Sequence, residues 1–131
     1  MSKENVEVML ALFAAWNAGD MNAVRDLFDP DVVVLPPQSW PEPGPEVGRD
    51  AVMRQFERLR GAWDADALEP IGDFIHTRDR VAVRQVWHGS GHGPASDMEM
   101  TNVITVREGK IVHQEFFWDH AEALETLELQ E

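Results

Sequence analysis

The chain is 131 residues long, which suits one domain with a single hydrophobic core, and we expect residues 1–131 to form it. A formal net charge of −13 argues against nucleic acid and anionic membrane surfaces as partners, because both require a basic face. Cysteine is absent, which excludes disulfides, thiol nucleophiles and thiolate metal sites. We find no apolar signal core and no apolar run near the ~20 residues that span a bilayer, so we expect a cytoplasmic protein.

The first half of the sequence predicts three helices and one short strand. Residues 2–18 carry apolar side chains at helical spacing, and the expected inward positions are Val6, Met9, Leu10, Phe13, Trp16 and Asn17. Asp20 is expected to cap a short second helix, and residues 31–35 are predicted to form a strand. Asp50 is expected to cap a third helix that runs to about residue 63.

Residues 36–48, between that strand and the third helix, form the one segment rich in proline and glycine, and we expect a loop there. Trp40 is unusual in a solvated loop. Either the loop is a lid whose aromatic tip closes over a cavity, or the indole pins the loop to the surface.

From Leu68 onward the spacing of apolar residues changes from the helical period to a period of two, which predicts strands. Four successive strands are expected, at residues 68–76, 81–88, 97–107 and 110–118. Asp119 is expected to begin a short last helix. Helices followed by a meander of long strands predict an α+β fold, with helices on one face of an antiparallel sheet.

The last two strands are joined by Glu108-Gly109, a two-residue turn that is typical of a tight hairpin. Such a turn pairs Arg107 with Lys110 and sets the register of both strands. The predicted pairs on the inward face are Val106 with Ile111, Ile104 with His113, Asn102 with Glu115, Met100 with Phe117, and Met98 with Asp119. This face is an apolar wall with four polar side chains set into it, which indicates a ligand pocket.

The outward face of the same hairpin is expected to carry further apolar side chains, namely Val103, Val112, Phe116 and Trp118. They predict a second packed surface, most simply a homodimer interface. The alternative is that these side chains are scattered and exposed.

The strand at residues 81–88 is expected to contribute to the same pocket. Gln85 and Trp87 share a face with Val81 and Val83, which we take as the cavity side. The aromatic and methionine side chains expected around the cavity are Phe13, Trp16, Phe56, Trp87, Met98, Met100 and Phe117. Methionine adapts to varied apolar ligands, so this set indicates either a ligand cavity or an ordinary packed core.

Four segments of the chain resemble a known family: AWNAGDMNAVRDLFDPDVVV, GRDAVMRQF, DRVAVRQVWHG and REGKIVHQEFFWDHAEALE. They are similar to the SnoaL-like branch of the cystatin-like α+β-cone superfamily. That superfamily includes nuclear transport factor 2, ketosteroid isomerase, scytalone dehydratase, limonene epoxide hydrolase and the SnoaL-type polyketide cyclases. The resemblance implies a cone-shaped, curved antiparallel sheet wrapped around N-terminal helices, a short C-terminal helix, and an apolar cavity that opens at one end.

The resemblance also implies a place for chemistry. Polyketide cyclases and limonene epoxide hydrolase carry a functional Asp at the end of the last strand, and Asp119 matches that position. The partner Arg and Asp of the epoxide hydrolase are replaced here by Gln85 and Trp87, which departs from that triad. The chain has no Tyr to match the oxyanion donor of ketosteroid isomerase.

The residues themselves leave alternatives open. A desolvated Asp119 can act as a general base, but its spacing to Glu122 is that of a capping box, in which it only caps the last helix. Glu115, Asn102 and His113 form either an acid–base or ligand-anchoring set, or a satisfied network in the core. No pair of histidines has the spacing of a metal site, so we expect no metal.

We therefore predict a cofactor-independent isomerase or cyclase that binds a small hydrophobic carbonyl compound and abstracts a proton from it. The alternatives are a non-catalytic small-molecule-binding module and an enzyme of the hydratase or epoxide hydrolase type. The predicted catalytic residues are Asp119, His113 and Glu115. The predicted substrate-binding residues are Trp16, Trp40, Gln85, Trp87, Met98, Met100, Asn102 and Phe117.

Overall fold

The computed structural model describes residues 2–40, 44–61, 65–91 and 96–129. Within these ranges the helices are α1 (Ser2–Asn17), α2 (Met21–Asp26), α3 (Arg49–Gly61) and α4 (His120–Leu129). The strands are β1 (Phe28–Leu35), β2 (Glu46–Val47), β3 (Ala65–His76), β4 (Arg80–Ser90), β5 (Ser96–Arg107) and β6 (Lys110–Phe117). They form one curved sheet in the order β2-β1-β6-β5-β4-β3, antiparallel except where β1 runs parallel to β6. The predicted α+β fold is confirmed.

Short-range sequence signals set the boundary between α1 and α2. Gly19 has a φ of +72° and ends α1, and the Asp20 carboxylate accepts a hydrogen bond of 3.1 Å from the backbone N–H of Ala23, which caps α2 as predicted. β1 begins three residues earlier than expected. Its first residue, Phe28, pairs with Ile111 of β6, so pairing with a distant strand extends β1 through the Asp29-Pro30 step.

Three of the predicted helix details are wrong. Leu10 and Asn17 were expected inward, but Leu10 is 47% exposed and Asn17 is also exposed, because the buried stripe of α1 runs through Met9, Leu12, Phe13 and Trp16. Asp50 does not cap α3. The helix begins at Arg49, so Asp50 lies inside its first turn, and the Asp50 carboxylate makes an ion pair of 2.6 Å with Arg25.

The hydrophobic core lies between the helices and the concave face of the sheet. Helices α1 and α3 pack there against β1, β4, β5 and β6. A smaller apolar cluster lies on the convex face, where Ala123 and Leu127 of α4 cover Ala82 and Val103. The chain therefore covers part of the outward apolar surface itself, and the homodimer stays a prediction. No helix in the described ranges is long and apolar enough to cross a membrane.

The register of the β5–β6 hairpin is the main departure from expectation. Arg107 pairs with Lys110 and Val106 with Ile111, as predicted, but Thr105 then pairs with His113. Val112 is thus an extra residue on β6, a β-bulge, and one extra residue turns every later side chain to the opposite face. The predicted pairs from Ile104 onward are wrong. The structure instead pairs Ile104 with Gln114, Val103 with Glu115, Asn102 with Phe116 and Thr101 with Phe117.

Candidate functional site

A cavity of about 110 Å³ opens between α1, α3, the concave face of the sheet and the segment that follows β1. Its apolar walls combine aromatic and thioether side chains, namely Trp16, Trp40, Phe56, Trp87, Met98, Met100 and Phe116, with the aliphatic and proline side chains of Leu12, Val34, Pro36, Pro37, Leu59 and Leu68. Its polar lining consists of the amides Gln55, Gln85, Asn102 and Gln114. None of the described residues that line the cavity has an ionisable side chain. The volume is of the same order as the roughly 150 Å³ cavity known to bind benzene.

Three of the four amides form a hydrogen-bonded chain across β4, β5 and β6. The Asn102 side-chain nitrogen donates to the Gln85 oxygen at 3.0 Å, and the Gln114 nitrogen donates to the Asn102 oxygen at 3.1 Å. All three side chains are at least 97% buried. The Gln114 Oε1 atom is sealed from solvent and has no hydrogen-bond partner among the described residues. Buried polar groups are normally hydrogen-bonded, so this network is an unusual feature of the cavity wall.

Asp66 organises the two indoles that form one side of the cavity. Its Oδ2 atom accepts hydrogen bonds from Trp16 Nε1 at 2.8 Å and from Trp87 Nε1 at 2.9 Å. Arg60 lies 3.4 Å from its Oδ1 atom and also covers the Trp16 ring, at 4.9 Å from the ring centroid. The Asp66 side chain is only 4% exposed, and a buried charge is costly unless it is paired or hydrogen-bonded. The two indole N–H groups and the Arg60 guanidinium compensate this charge. Sequence reasoning missed this residue, because its partners lie far away along the chain.

The mouth of the cavity is formed by the segment that carries Trp40. The Trp40 ring lies against the Trp118 ring, with centroids 6.2 Å apart. Trp118 also donates a hydrogen bond of 2.7 Å from its indole to the backbone oxygen of Gln38. The segment is therefore pinned to the strand end and the Trp40 indole also lines the cavity, while closure of the segment as a lid stays a prediction.

Seven of the predicted site residues line the cavity: Trp16, Trp40, Gln85, Trp87, Met98, Met100 and Asn102. Asp119, His113, Glu115 and Phe117 do not, and their predicted inward orientation is wrong because of the bulge at Val112. In their place β6 presents Gln114 and Phe116 to the cavity.

Asp119 lies at the start of α4 and is exposed. Its Oδ1 atom accepts a hydrogen bond of 2.9 Å from the backbone N–H of Ala121, and its carbonyl accepts one from Ala123. This is the geometry of a helix cap, which was one of the two alternatives for this residue.

His113 and Glu115 lie on the convex face, opposite Thr105 and Val103. Burial lowers the pKa of His113, and the nearby positive charge of Arg80 lowers it further. Burial raises the pKa of Glu115; Arg80 opposes this rise and Glu122 adds to it. Both groups are thus perturbed by the packing of the convex face rather than by the cavity.

Another titratable cluster lies on the exposed side of β3, β4 and β5. His88 is 2.7 Å from Asp97 through Nδ1 and 2.9 Å from Glu69 through Nε2. Hydrogen bonds to Glu69 and then to Asp97 raise the pKa of His88. Within the described ranges, no three His, Cys, Asp or Glu side chains come together as metal ligands.

Comparison with known proteins matches residues 9–114 to the SnoaL-like domain family. TerC co-crystallised with polyporic acid is 22% identical, with a TM-score of 0.77 over 95% of this chain and 98% of that chain. A protein from Jannaschia sp. CCS1 assigned to the SnoaL-like polyketide cyclases is 18% identical, with a TM-score of 0.76 over 95% and 91%. A Xanthomonas campestris protein with a cystatin-like fold is 19% identical, with a TM-score of 0.77 over 86% and 88%.

A search of curated proteins gives no significant match. These three structural similarities are below 25% identity and therefore establish the fold alone, which is cystatin-like. The family match covers most of the chain, and on that ground the protein belongs to the SnoaL-like domain family.

Proposed function

We propose that the protein binds a small, neutral, ring-shaped molecule that carries an oxygen substituent. The observation behind this proposal is the composition of the cavity wall, which is aromatic and thioether-rich with a chain of amides at one side. Flat apolar rings match aromatic walls, and a few fixed polar groups orient the ligand in such pockets.

The proposal specifies a neutral ligand for an electrostatic reason. A charged group in this cavity would lose its hydration and find no counter-ion among the described lining residues. A net charge of −13 on the protein further disfavours an anion. Amide side chains provide hydrogen bonds to a neutral oxygen at much lower cost.

A second candidate is a cofactor-independent cyclase or isomerase that acts on the same kind of molecule. It is favoured by membership of the SnoaL-like family and by the fold shared with an assigned polyketide cyclase. The amide nitrogens are suited to stabilise an oxygen that gains negative charge during proton abstraction next to a carbonyl. A base is also required, and the predicted catalytic groups lie outside the cavity, so we place binding first.

Calorimetric titration with three compounds that share one ring system tests the proposal: indane, 1-indanone and indane-2-carboxylate. We expect the two neutral compounds to bind and the carboxylate to bind at least about tenfold more weakly. Met98→Trp fills the cavity and should abolish binding. Leu10→Trp adds the same side chain at an exposed position of α1 and serves as the control.

Equal binding of the carboxylate, or full binding by Met98→Trp, contradicts the proposal. Mass spectrometry of recovered ligands then separates the two candidates. An unchanged ligand supports binding alone, and a rearranged or cyclised product supports the enzyme.

A further inference from the structure

The chain of amides formed by Gln85, Asn102 and Gln114 can carry its hydrogen bonds in either direction. Each amide has an oxygen that accepts and a nitrogen that donates, at nearly the same distance from the side-chain carbon. Turning all three amides by half a rotation exchanges every oxygen with a nitrogen. Both hydrogen bonds of the chain are then kept, with donor and acceptor reversed.

No hydrogen bond to another described residue fixes the direction. The only hydrogen bonds that these three side chains make within the described residues are those to each other. At the far end, Gln114 Oε1 is buried and unpartnered, and in the reversed chain the Gln114 nitrogen would be unpartnered there instead. An unsatisfied polar atom at that end therefore destabilises both directions, and neither is selected by the protein itself.

All three amides line the cavity, but the terminal oxygen at the Gln114 end is sealed, so the Gln85 end is the one whose terminal atom a ligand can reach. Gln85 lines the cavity and uses its oxygen to accept from Asn102, which leaves its nitrogen as the terminal group. That nitrogen is not sealed from solvent in the way that the Gln114 oxygen is. In the observed direction the cavity is offered a donor at Gln85, and in the reversed direction it is offered an acceptor.

We propose that this chain lets the cavity recognise one ligand oxygen both as a carbonyl and as a hydroxyl, so that the site accepts neutral cyclic ketones and neutral cyclic alcohols or phenols of the same shape. The carbonyl accepts from the Gln85 nitrogen in the observed direction. The hydroxyl donates to the Gln85 oxygen in the reversed direction. The ligand determines the direction of the hydrogen bonds in the chain, because the Gln114 end has no hydrogen-bond partner among the described residues that would determine it. This inference rests on the proposed function and specifies its ligand class.

Wild-type protein and three compounds of similar shape test it. 1-Indanone only accepts a hydrogen bond, indole only donates one, and indane does neither. Competition for a bound neutral fluorophore, N-phenyl-1-naphthylamine, gives their relative affinities. A reversible chain binds both 1-indanone and indole about fivefold more tightly than indane, the usual contribution of one net hydrogen bond.

Two variants fix the direction of the chain from different positions. An ionised carboxylate only accepts, so Asn102→Asp draws the nitrogens of both neighbouring amides toward itself at about pH 9.5, above the pKa of roughly 8–9 that burial gives a carboxyl group, and Gln85 then presents only its oxygen. Gln114→Glu has the same effect from the sealed end. In either variant 1-indanone should fall to the affinity of indane while indole keeps its advantage. Leu10→Glu adds a carboxylate at an exposed position of α1, outside the cavity, and should leave the ratio of indole to 1-indanone as in the wild type.

The outcomes separate this inference from the proposed function. If none of the three compounds binds, the proposed function fails. If indane binds and only one of the other two exceeds it in the wild-type protein, the chain has a fixed direction and the inference fails. If a carboxylate variant that folds changes both affinities equally, the inference also fails. The wild-type comparison decides the question even if the variants do not fold.

Discussion

Replacement of Asp66 by Ala tests whether one buried carboxylate holds the two indole walls of the cavity. In the structure, Trp16 and Trp87 both donate to the same oxygen of Asp66, at 2.8 and 2.9 Å. Arg60 supplies the compensating positive charge. We expect the variant to lose stability and to bind ligands more weakly, because neither indole is then held in place.

The size of the effect follows from the number and type of bonds. A hydrogen bond to a charged group contributes about 1.5–3 kcal/mol, so losing both indole bonds should lower the free energy of unfolding by about 3–6 kcal/mol. That is a large part of the roughly 5–15 kcal/mol by which a domain is stable. Asp66→Asn keeps an oxygen where both indoles donate but makes both bonds neutral and removes the attraction to Arg60, so it should cost less than Asp66→Ala, about 2 kcal/mol.

Urea unfolding followed by circular dichroism measures both variants without relying on tryptophan emission. Asp73→Ala is the matched control, since Asp73 is an exposed carboxylate on the same strand, β3. We expect this control to lie within about 0.5 kcal/mol of the wild type. A loss below about 1 kcal/mol for Asp66→Ala, or one equal to that of Asp73→Ala, would refute the reasoning.

Three further predictions concern the cavity mouth, the last helix and the exposed histidine. Trp118→Leu removes the indole that pins the Trp40 segment, so a bound ligand should dissociate several-fold faster in stopped-flow measurements; an unchanged rate would show that the segment is held otherwise. Asp119→Ala removes a helix cap and should cost about 0.5–2 kcal/mol in urea unfolding with ligand affinity unchanged; lost affinity in a stable protein would return this carboxylate to the site. The folded-state pKa of His88 is raised above 6.5, so its stabilisation is complete below pH 6.5 and is lost as pH rises through the folded pKa. The stability difference between wild type and His88→Gln should therefore shrink from pH 5.5 to 9, and a difference that grows with pH contradicts this.

The parts of the fold that could be predicted are those with local signals. Asp20 and Gly19 mark a helix boundary by side-chain and backbone chemistry that acts over three residues. On β4, valines at alternate positions precede Gln85 and Trp87, so the alternation alone places both side chains on the cavity face. The family resemblance then supplied the curvature of the sheet, which no local pattern encodes.

Asp66 illustrates what local patterns miss. It lies fifty positions from Trp16 along the chain and twenty-one from Trp87, and no spacing rule links them. An isolated carboxylate at the start of a strand is usually solvated. Its role depends on two indoles that reach one oxygen atom only in the folded protein.

The bulge on β6 could not be predicted because that strand has apolar residues on both of its faces. Ile111 and Phe117 fall on one parity, Val112 and Phe116 on the other, so hydrophobicity does not choose between registers. The two-residue turn correctly predicted the first two pairs and no further. The free energy of burial was the clue available in the sequence. Burying the neutral amide of Gln114 beside Asn102 costs less free energy than burying the carboxylate of Glu115 there.

The bulge residue Val112 therefore decides what kind of cavity this protein has. Without it, the predicted register would turn His113 and Glu115 toward the concave face, and the cavity would contain a histidine and a carboxylate suited to proton transfer. With it, those groups lie on the convex face and the cavity receives Gln114. The same strand sequence is compatible with an acid–base site or a neutral amide site, and a single bulged residue within β6 selects the neutral one.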